Sequence, residues 1–186
     1  FDDNFEVVLA DTENSRRIHH QIRYQVYCLE EGFEDQGCFP DEEERDAWDK
    51  GSVHFLVRSK STDQWVAAMR LVLPSRQGFP MEQLCDVEPG LSSSVLGDSV
   101  VEVSRLCILN SHRRAHPPKT GKQSNETLPL PRLVSNNSEP VSLTALNESE
   151  SVTNNKRHKA DIVMGLMRAA AIYCREHQIT NWYFLS

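Results

Sequence analysis

No stretch of this 186-residue sequence approaches the roughly 18 consecutive apolar residues that a membrane-crossing helix needs, so no membrane span is expected. The opening FDDNFEVVLA lacks the basic start of a secretory leader, which points to a cytoplasmic protein. The five cysteines, at 28, 38, 85, 107 and 174, are odd in number and contain no C-x-x-C pair. That argues against a disulfide scaffold and against zinc, leaving reduced thiols and no metal centre as the expectation. Basic clusters interleaved with aromatics are missing, so nucleic acid is not an expected partner. Between Ser111 and Lys156 there is no aromatic residue at all. This tract of Ser, Thr, Asn and Pro cannot bury enough apolar surface to fold by itself and reads as a disordered insertion over 111–157. Its three N-x-S/T sequons, at Asn125, Asn136 and Asn147, arise readily by chance in such a composition.

What is present suffices for one core. With 39% hydrophobic residues, 1–186 is read as a single domain. Charge is unevenly spread: residues 1–50 hold 15 acidic and 5 basic side chains, whereas 111–186 hold 6 acidic and 10 basic. Two readings are open. The charges form an ordinary solvated surface, or the basic end meets an anionic partner and the acidic end a cationic substrate.

Weak alternation in Phe5–Ala10 predicts a first strand. Asp11-Thr12 then offers a cap for a helix in which Ile18, Ile22, Val26 and Leu29 recur at helical spacing, with Gly32 as its stop. His19 and His20 on this helix are read as solvated. Residues 34–50 are acidic and irregular. His54–Arg58 and Trp65–Leu73, joined by a polar turn, read as a hairpin. Phe79–Leu84 suggests a short helical turn and 100–109 the fourth strand. Order returns at Asp161, with Ile162, Leu166, Ala169 or Ala170, and Tyr173 on one helix face. A strand from Ile179 then runs to Ser186 without a polar tail, so a further C-terminal segment is expected.

Charges interrupt these apolar segments. Arg70 sits within A-A-M-R-L-V-L, and Glu102, Ser104 and Arg105 sit within V-V-E-V-S-R-L-C-I-L. An unpaired ion in an apolar interior costs several kcal/mol, so each needs a partner or a use. Glu102 and Arg105 are three apart and face opposite sides of the strand unless a bulge re-aims one. Arg23 precedes Tyr27 by one turn on the first helix, and Asp46 and Asp49 are spaced to converge on one cation. These groups either form a buried ion-pair network or line a site.

Taken in order, Arg-x-x-Val-Tyr, Glu-x-Asp-x-x-Asp, Arg-Leu and Glu-x-Ser-Arg resemble the acyl-homoserine-lactone (autoinducer) synthases of the GNAT-like N-acyltransferase superfamily. FDDNFEVVLADT, IRYQVYCLEEGFED and VHFLVR…VAAMRLVLP more closely resemble a sister branch, the PEP-CTERM/exosortase system-associated acyltransferases, relatives also of the N-acyl amino acid synthases. The likeness covers about residues 1–110 and, loosely, 158–186. It implies an α/β fold: a mixed, mostly antiparallel sheet flanked by helices, with the fourth and fifth strands splayed around an acyl donor. It also implies that Arg23, Tyr27, Phe33, Asp46, Asp49, Arg70 and Arg105 surround an acceptor pocket.

A Q/R-x-x-G-x-G/A pyrophosphate loop is absent. The resemblance therefore tilts the donor toward acyl carrier protein over acyl-CoA, with no tightly bound cofactor. Leu106, Cys107, Ile108, Arg113 and Arg114 are the expected donor contacts, and Lys156, Arg157, Lys159 and Arg168 would add to a carrier-binding surface. The acceptor would be a small-molecule amine, with Glu102 taking its proton and Ser104 assisting the leaving thiol or orienting Glu102. Cys107 has no histidine at a telling position and reads as a core thiol. Two alternatives stand beside N-acyl transfer: a homoserine-lactone synthase using S-adenosylmethionine, and a non-catalytic acyl-thioester-binding or interaction module.

Overall fold

Phe5–Leu9, Ser52–Ser59 and Trp65–Val72, rich in β-branched and apolar residues, form neighbouring antiparallel strands, β1, β2 and β3, the last two buried on both faces. β4 (Val100–Ile108) pairs antiparallel with β3, and β5 (Asn181–Phe184) pairs parallel with β4. The result is one mixed five-stranded sheet in the order β1-β2-β3-β4-β5, the expected α/β class. The computed structural model describes residues 1–112 and 148–184; most of the expected insertion, its three sequons, and Arg113 and Arg114 lie outside the described residues.

Parallel pairing of β4 and β5 requires a crossover, which α4 (Glu148–Glu176) supplies. This helix begins well before Asp161 and takes in the end of the expected insertion. The polar stretch ahead of Asp161 lacks an apolar stripe, yet contains no Gly or Pro to interrupt a helix. The first helix, α1 (Glu13–Tyr24), starts at Thr12, whose hydroxyl accepts from the Ser15 N–H at 3.1 Å. It continues into a wider π-type turn over Gln25–Glu30, closed by Glu31 N–H to Val26 O at 2.9 Å, and Gly32 follows at φ +67°. The wider turn shifts the helical phase, so Leu29 faces solvent at 47% exposure instead of continuing the apolar stripe.

Two apolar layers sandwich the sheet. Phe55, Val57, Ala67, Met69, Leu71, Val101 and Val103 pack with Ile162, Leu166 and Ala170 of α4. On the other face Leu56, Ala68, Cys107 and Leu109 pack with Ile22 and Val26 of α1. A smaller cluster of Val72, Phe79 and Val100 lies at the start of α2 (Pro80–Leu84), which the single turn α3 (Ser93–Leu96) follows, and Trp48, Met81 and Tyr183 pack against that cluster. Among the described residues no helix is long and apolar enough to cross a membrane.

One irregularity in β4 positions the site. Between the pairs Ala68↔Cys107 and Arg70↔Ser104, β4 holds Arg105 and Leu106 against the single Met69 of β3. This is a bulge, with Arg105 in the left-handed region at φ +52°. It shifts the alternation by one residue, so Glu102 and Ser104 share the α1 face with Cys107 and Leu109. Arg105 no longer points to the α4 side.

Candidate functional site

The acidic loop before β2 folds on itself locally. Asp46 Oδ1 accepts from the Trp48 N–H at 2.9 Å, and Asp49 Oδ2 accepts from the Asp46 N–H at 2.8 Å. These turns hold two carboxylates against the α1 face of the sheet, where three guanidinium groups meet them. Arg23 is fully buried; its Nε donates to Glu44 and its Nη1 to Asp49 Oδ1 at 2.5 Å. Arg70, equally buried, donates from Nη1 to Asp46 Oδ1 (2.5 Å) and Asp49 Oδ1 (2.7 Å), and from Nη2 to Ser104 Oγ (3.2 Å). The bulge brings Arg105 Nη2 to Glu44 Oε1 (3.1 Å), Glu34 Oε1 (3.3 Å) and Asp46 Oδ2 (3.5 Å). Arg70, Asp46 and Asp49 therefore satisfy one another, and Arg23 and Arg105 join the same lattice.

Mutual neutralisation favours the charged forms of Arg23 and Asp49. Burial alone would lower the Arg23 pKa, but Asp49 and Glu44 outweigh it and raise it. Burial likewise would raise Asp49, but Arg23 and Arg70 hold its carboxyl far below the usual carboxylate range. The Arg105 guanidinium lies over the Tyr27 ring at 5.2 Å, and the Tyr27 hydroxyl donates to Leu106 O at 3.4 Å. Phe33 is 72% exposed beside Tyr27, with ring centroids 6.4 Å apart.

Glu102 stands apart from this lattice. It is 2% exposed, and among the described residues its hydrogen-bond donor is the Met81 N–H, at 3.0 Å from Oε2. No ion pair joins it to a described cation. Burial raises its pKa above the ordinary 4.5, offset only in part by the Met81 N–H and Arg70. Tyr183 is its partner in the β4–β5 register, and the buried Tyr183 hydroxyl has no hydrogen-bond partner among the described residues.

The expected donor residues are divided. The Cys107 and Ile108 side chains are buried on opposite faces of the sheet, and Leu106 packs against the α4 layer. Lys159 is exposed, whereas Arg168 pairs with Asp2 at 2.9 Å and stands over Phe1.

Two features escaped the sequence. Glu44 bridges Arg23 and Arg105, a role signalled only by its place in Glu-x-Asp-x-x-Asp. His19 and His20, expected in solvent, are 0% and 8% exposed. The spacing His19-Ile22-Arg23-Val26 marks the buried face of α1, and His19 belongs to it. Desolvation lowers the His19 pKa well below 6.5 and that of His20 to about 4, so both rings are neutral at pH 7.

The acetyltransferase (GNAT) domain family matches residues 22–120, just over half of the chain. Among solved structures, the AHL synthase LasI is similar with a TM-score of 0.53 at 17% identity, over 97% of this chain and 71% of LasI. That likeness speaks for the fold. TofI, solved in a ternary complex with an inhibitor and MTA, has a TM-score of 0.38 at 20% identity, over 55% of this chain and 56% of TofI. No protein of curated function matches the chain.

Proposed function

This chain belongs to the acetyltransferase (GNAT) domain family and is an acyltransferase; from that premise we propose that it moves a fatty acyl group from an acyl thioester to the amine of a small metabolite or amino acid. Glu102 carries the reading. It is a buried carboxyl group with no cationic partner among the described residues, while Arg70 and Arg105, which act on it, are matched by Asp46, Asp49, Glu34 and Glu44. Burying an unpaired carboxylate is costly, and a raised pKa suits it to accept a proton from an α-amine, whose pKa is about 8.

In the proposed reaction the amine nitrogen attacks the thioester carbonyl carbon and the new C–N bond forms. The ammonium proton passes to Glu102, directly or through one water. The C–S bond breaks, and the leaving thiolate takes the proton back. Arg70 fixes the Ser104 hydroxyl, which either assists the thiolate or orients Glu102. The β4 bulge takes one residue out of the ladder, and main-chain N–H groups around Arg105–Cys107 would receive the developing oxyanion. Arg23, Tyr27, Asp46, Asp49, Arg70 and Arg105 would wall the acceptor pocket, with Phe33 at its rim. Leu106, Cys107 and Ile108 would border the donor through their main chain, with Arg113 and Arg114 beyond them. The absent pyrophosphate loop favours a carrier-protein donor over coenzyme A. The resemblance to the exosortase-associated branch favours an amine acceptor other than S-adenosylmethionine.

The test is thiol release from acyl-carrier and acyl-CoA thioesters across a panel of amines that includes S-adenosylmethionine. Glu102→Gln should lower kcat by about 10²–10⁴-fold with donor binding intact. Full activity of Glu102→Gln would overturn the assignment. Lactone formation from S-adenosylmethionine alone would identify an autoinducer synthase, and thioester binding without transfer a binding module.

A further inference from the structure

His19 and His20 of α1 and His54 of β2 face one another beneath the acidic loop. Their rings lie edge to face, with centroids 4.6 Å apart for His19 and His54 and 5.8 Å apart for the other two pairs. All three residues are more than nine-tenths buried, at 0%, 8% and 3% exposure. Main-chain carbonyls fix two of the tautomers. His19 Nε2 lies 3.2 Å from Met69 O, and His54 Nε2 lies 3.0 Å from Asp49 O. A carbonyl only accepts, so each Nε2 carries the hydrogen and each Nδ1 carries the lone pair. Neither Nδ1 has a hydrogen-bond partner among the described residues, and neither does either nitrogen of His20. One nitrogen from each ring lies within 4.8 Å of the other two.

Buried polar atoms are normally satisfied, and lone pairs gathered within 4.8 Å of one another cannot satisfy one another. A cation satisfies all three together. We propose that His19, His20 and His54 bind a divalent transition-metal ion of the zinc class, through His19 Nδ1, His54 Nδ1 and one nitrogen of His20. An imidazole set suits zinc and its neighbours, whereas calcium and magnesium require oxygen ligands. Ligating histidines characteristically donate their other N–H to a carbonyl or carboxylate, the arrangement that Met69 O and Asp49 O provide. The two His20 nitrogens lie 3.9 Å from Glu43 Oε2 and from Asp49 Oδ2, so negative charge stands on either side of that ring. Arg23 opposes a cation here, but Glu44 and Asp49 match its charge.

The site differs from the expectation of no metal because that expectation weighed cysteine spacing, whereas these ligands converge from two elements. The proposal is independent of the acyl-transfer reading. Asp49 joins the two regions: its carbonyl anchors His54 and its carboxylate anchors Arg23 and Arg70.

The test is to titrate the metal-stripped full chain with Zn²⁺ by calorimetry and with Co²⁺ by visible spectroscopy. One saturable equivalent is expected, with the strong d–d absorption of a low-coordinate, nitrogen-ligated cobalt ion. X-ray absorption of the zinc-loaded wild type should show three imidazole nitrogens at about 2.0–2.1 Å. His20→Gln should weaken binding by at least about tenfold while the circular dichroism spectrum stays native. Absence of one-equivalent binding, a sulfur shell from Cys38 or Cys85, or unchanged affinity in folded His20→Gln would each overturn the proposal. Should His20→Gln fail to fold, the wild-type ligand shell decides the matter alone.

Discussion

Replacing Arg23 by Met keeps an apolar stem of similar length and deletes the guanidinium that Glu44 and Asp49 share. Removing one partner of a buried pair costs about 3–5 kcal/mol, because the other charge is left in the interior. Here each abandoned carboxylate keeps a second cation, Glu44 through Arg105 at 3.1 Å and Asp49 through Arg70 at 2.7 Å. The lower end, about 3 kcal/mol, is therefore expected. In a chain of this size that corresponds to about 6–12 °C in Tm. Urea unfolding followed by the fluorescence of Trp48, Trp65 and Trp182 measures it. Arg58→Met is the control: its pairs with Glu6 and Asp63 lie at the partly exposed edge of the sheet, and about 1 kcal/mol or less is expected. The pH dependence adds a second check. Folding lowers the Asp49 pKa below its ordinary 3.8, so its pairing contributes fully above that value and is lost as pH falls through the folded value. Arg23→Met lets the Asp49 pKa rise again, so the deficit of the variant should be largest at neutral pH and shrink in acid. Equal costs for Arg23→Met and Arg58→Met, or a deficit indifferent to pH, would refute the electrostatic account of this lattice.

Glu102→Gln should gain stability relative to wild type as pH rises above 4.5. The raised pKa means that the neutral acid is the better-tolerated form, and this contribution is lost as pH climbs through the folded value. Parallel curves of urea midpoint against pH would contradict the buried, unpaired state of this acid. Ser104→Ala removes the partner of Arg70 Nη2 and should cost about 1.5–3 kcal/mol in urea melts, with kcat reduced beyond what the lost stability explains. No change in either quantity would leave Ser104 without a role. Gly78→Ala should destabilise by about 1–2 kcal/mol, since its φ of +73° disfavours a side chain and a Cβ would lie 2.6 Å from Glu82 Oε2. That contact disturbs the bond from the Phe79 N–H to the same oxygen at 2.8 Å, and a neutral result in thermal melts would show that Glu82 re-seats freely.

The residues that announce themselves in the sequence are those whose chemistry conflicts with their surroundings. Arg70 within an apolar run had to find anions, and Asp46 and Asp49 are those anions. Apolar runs joined by a polar turn marked β2 and β3, and Thr12 marked the start of α1. Less legible was anything set by register between distant segments. The offset at Arg105 depends on how β4 lies against Met69, so neither its presence nor the direction of Arg105 could be read from β4 alone. Tyr183 meets Glu102 only because α4 returns the chain parallel to β4. His19 and His20 read wrongly as solvated: His19 lies one turn before Ile22 and Arg23 on the buried face of α1, and nothing local showed that His54 would close the group from β2.

The amide that covers Glu102 belongs to the first turn of a five-residue helix, where N–H groups have no partner within the helix. A helix so short holds little cooperative strength of its own, so the bond is as much a tether for Pro80–Leu84 as a seal over the acid. Any displacement of that segment would hydrate the carboxyl group and return it toward ordinary acidity, so access and proton affinity at Glu102 are tied to the same contact.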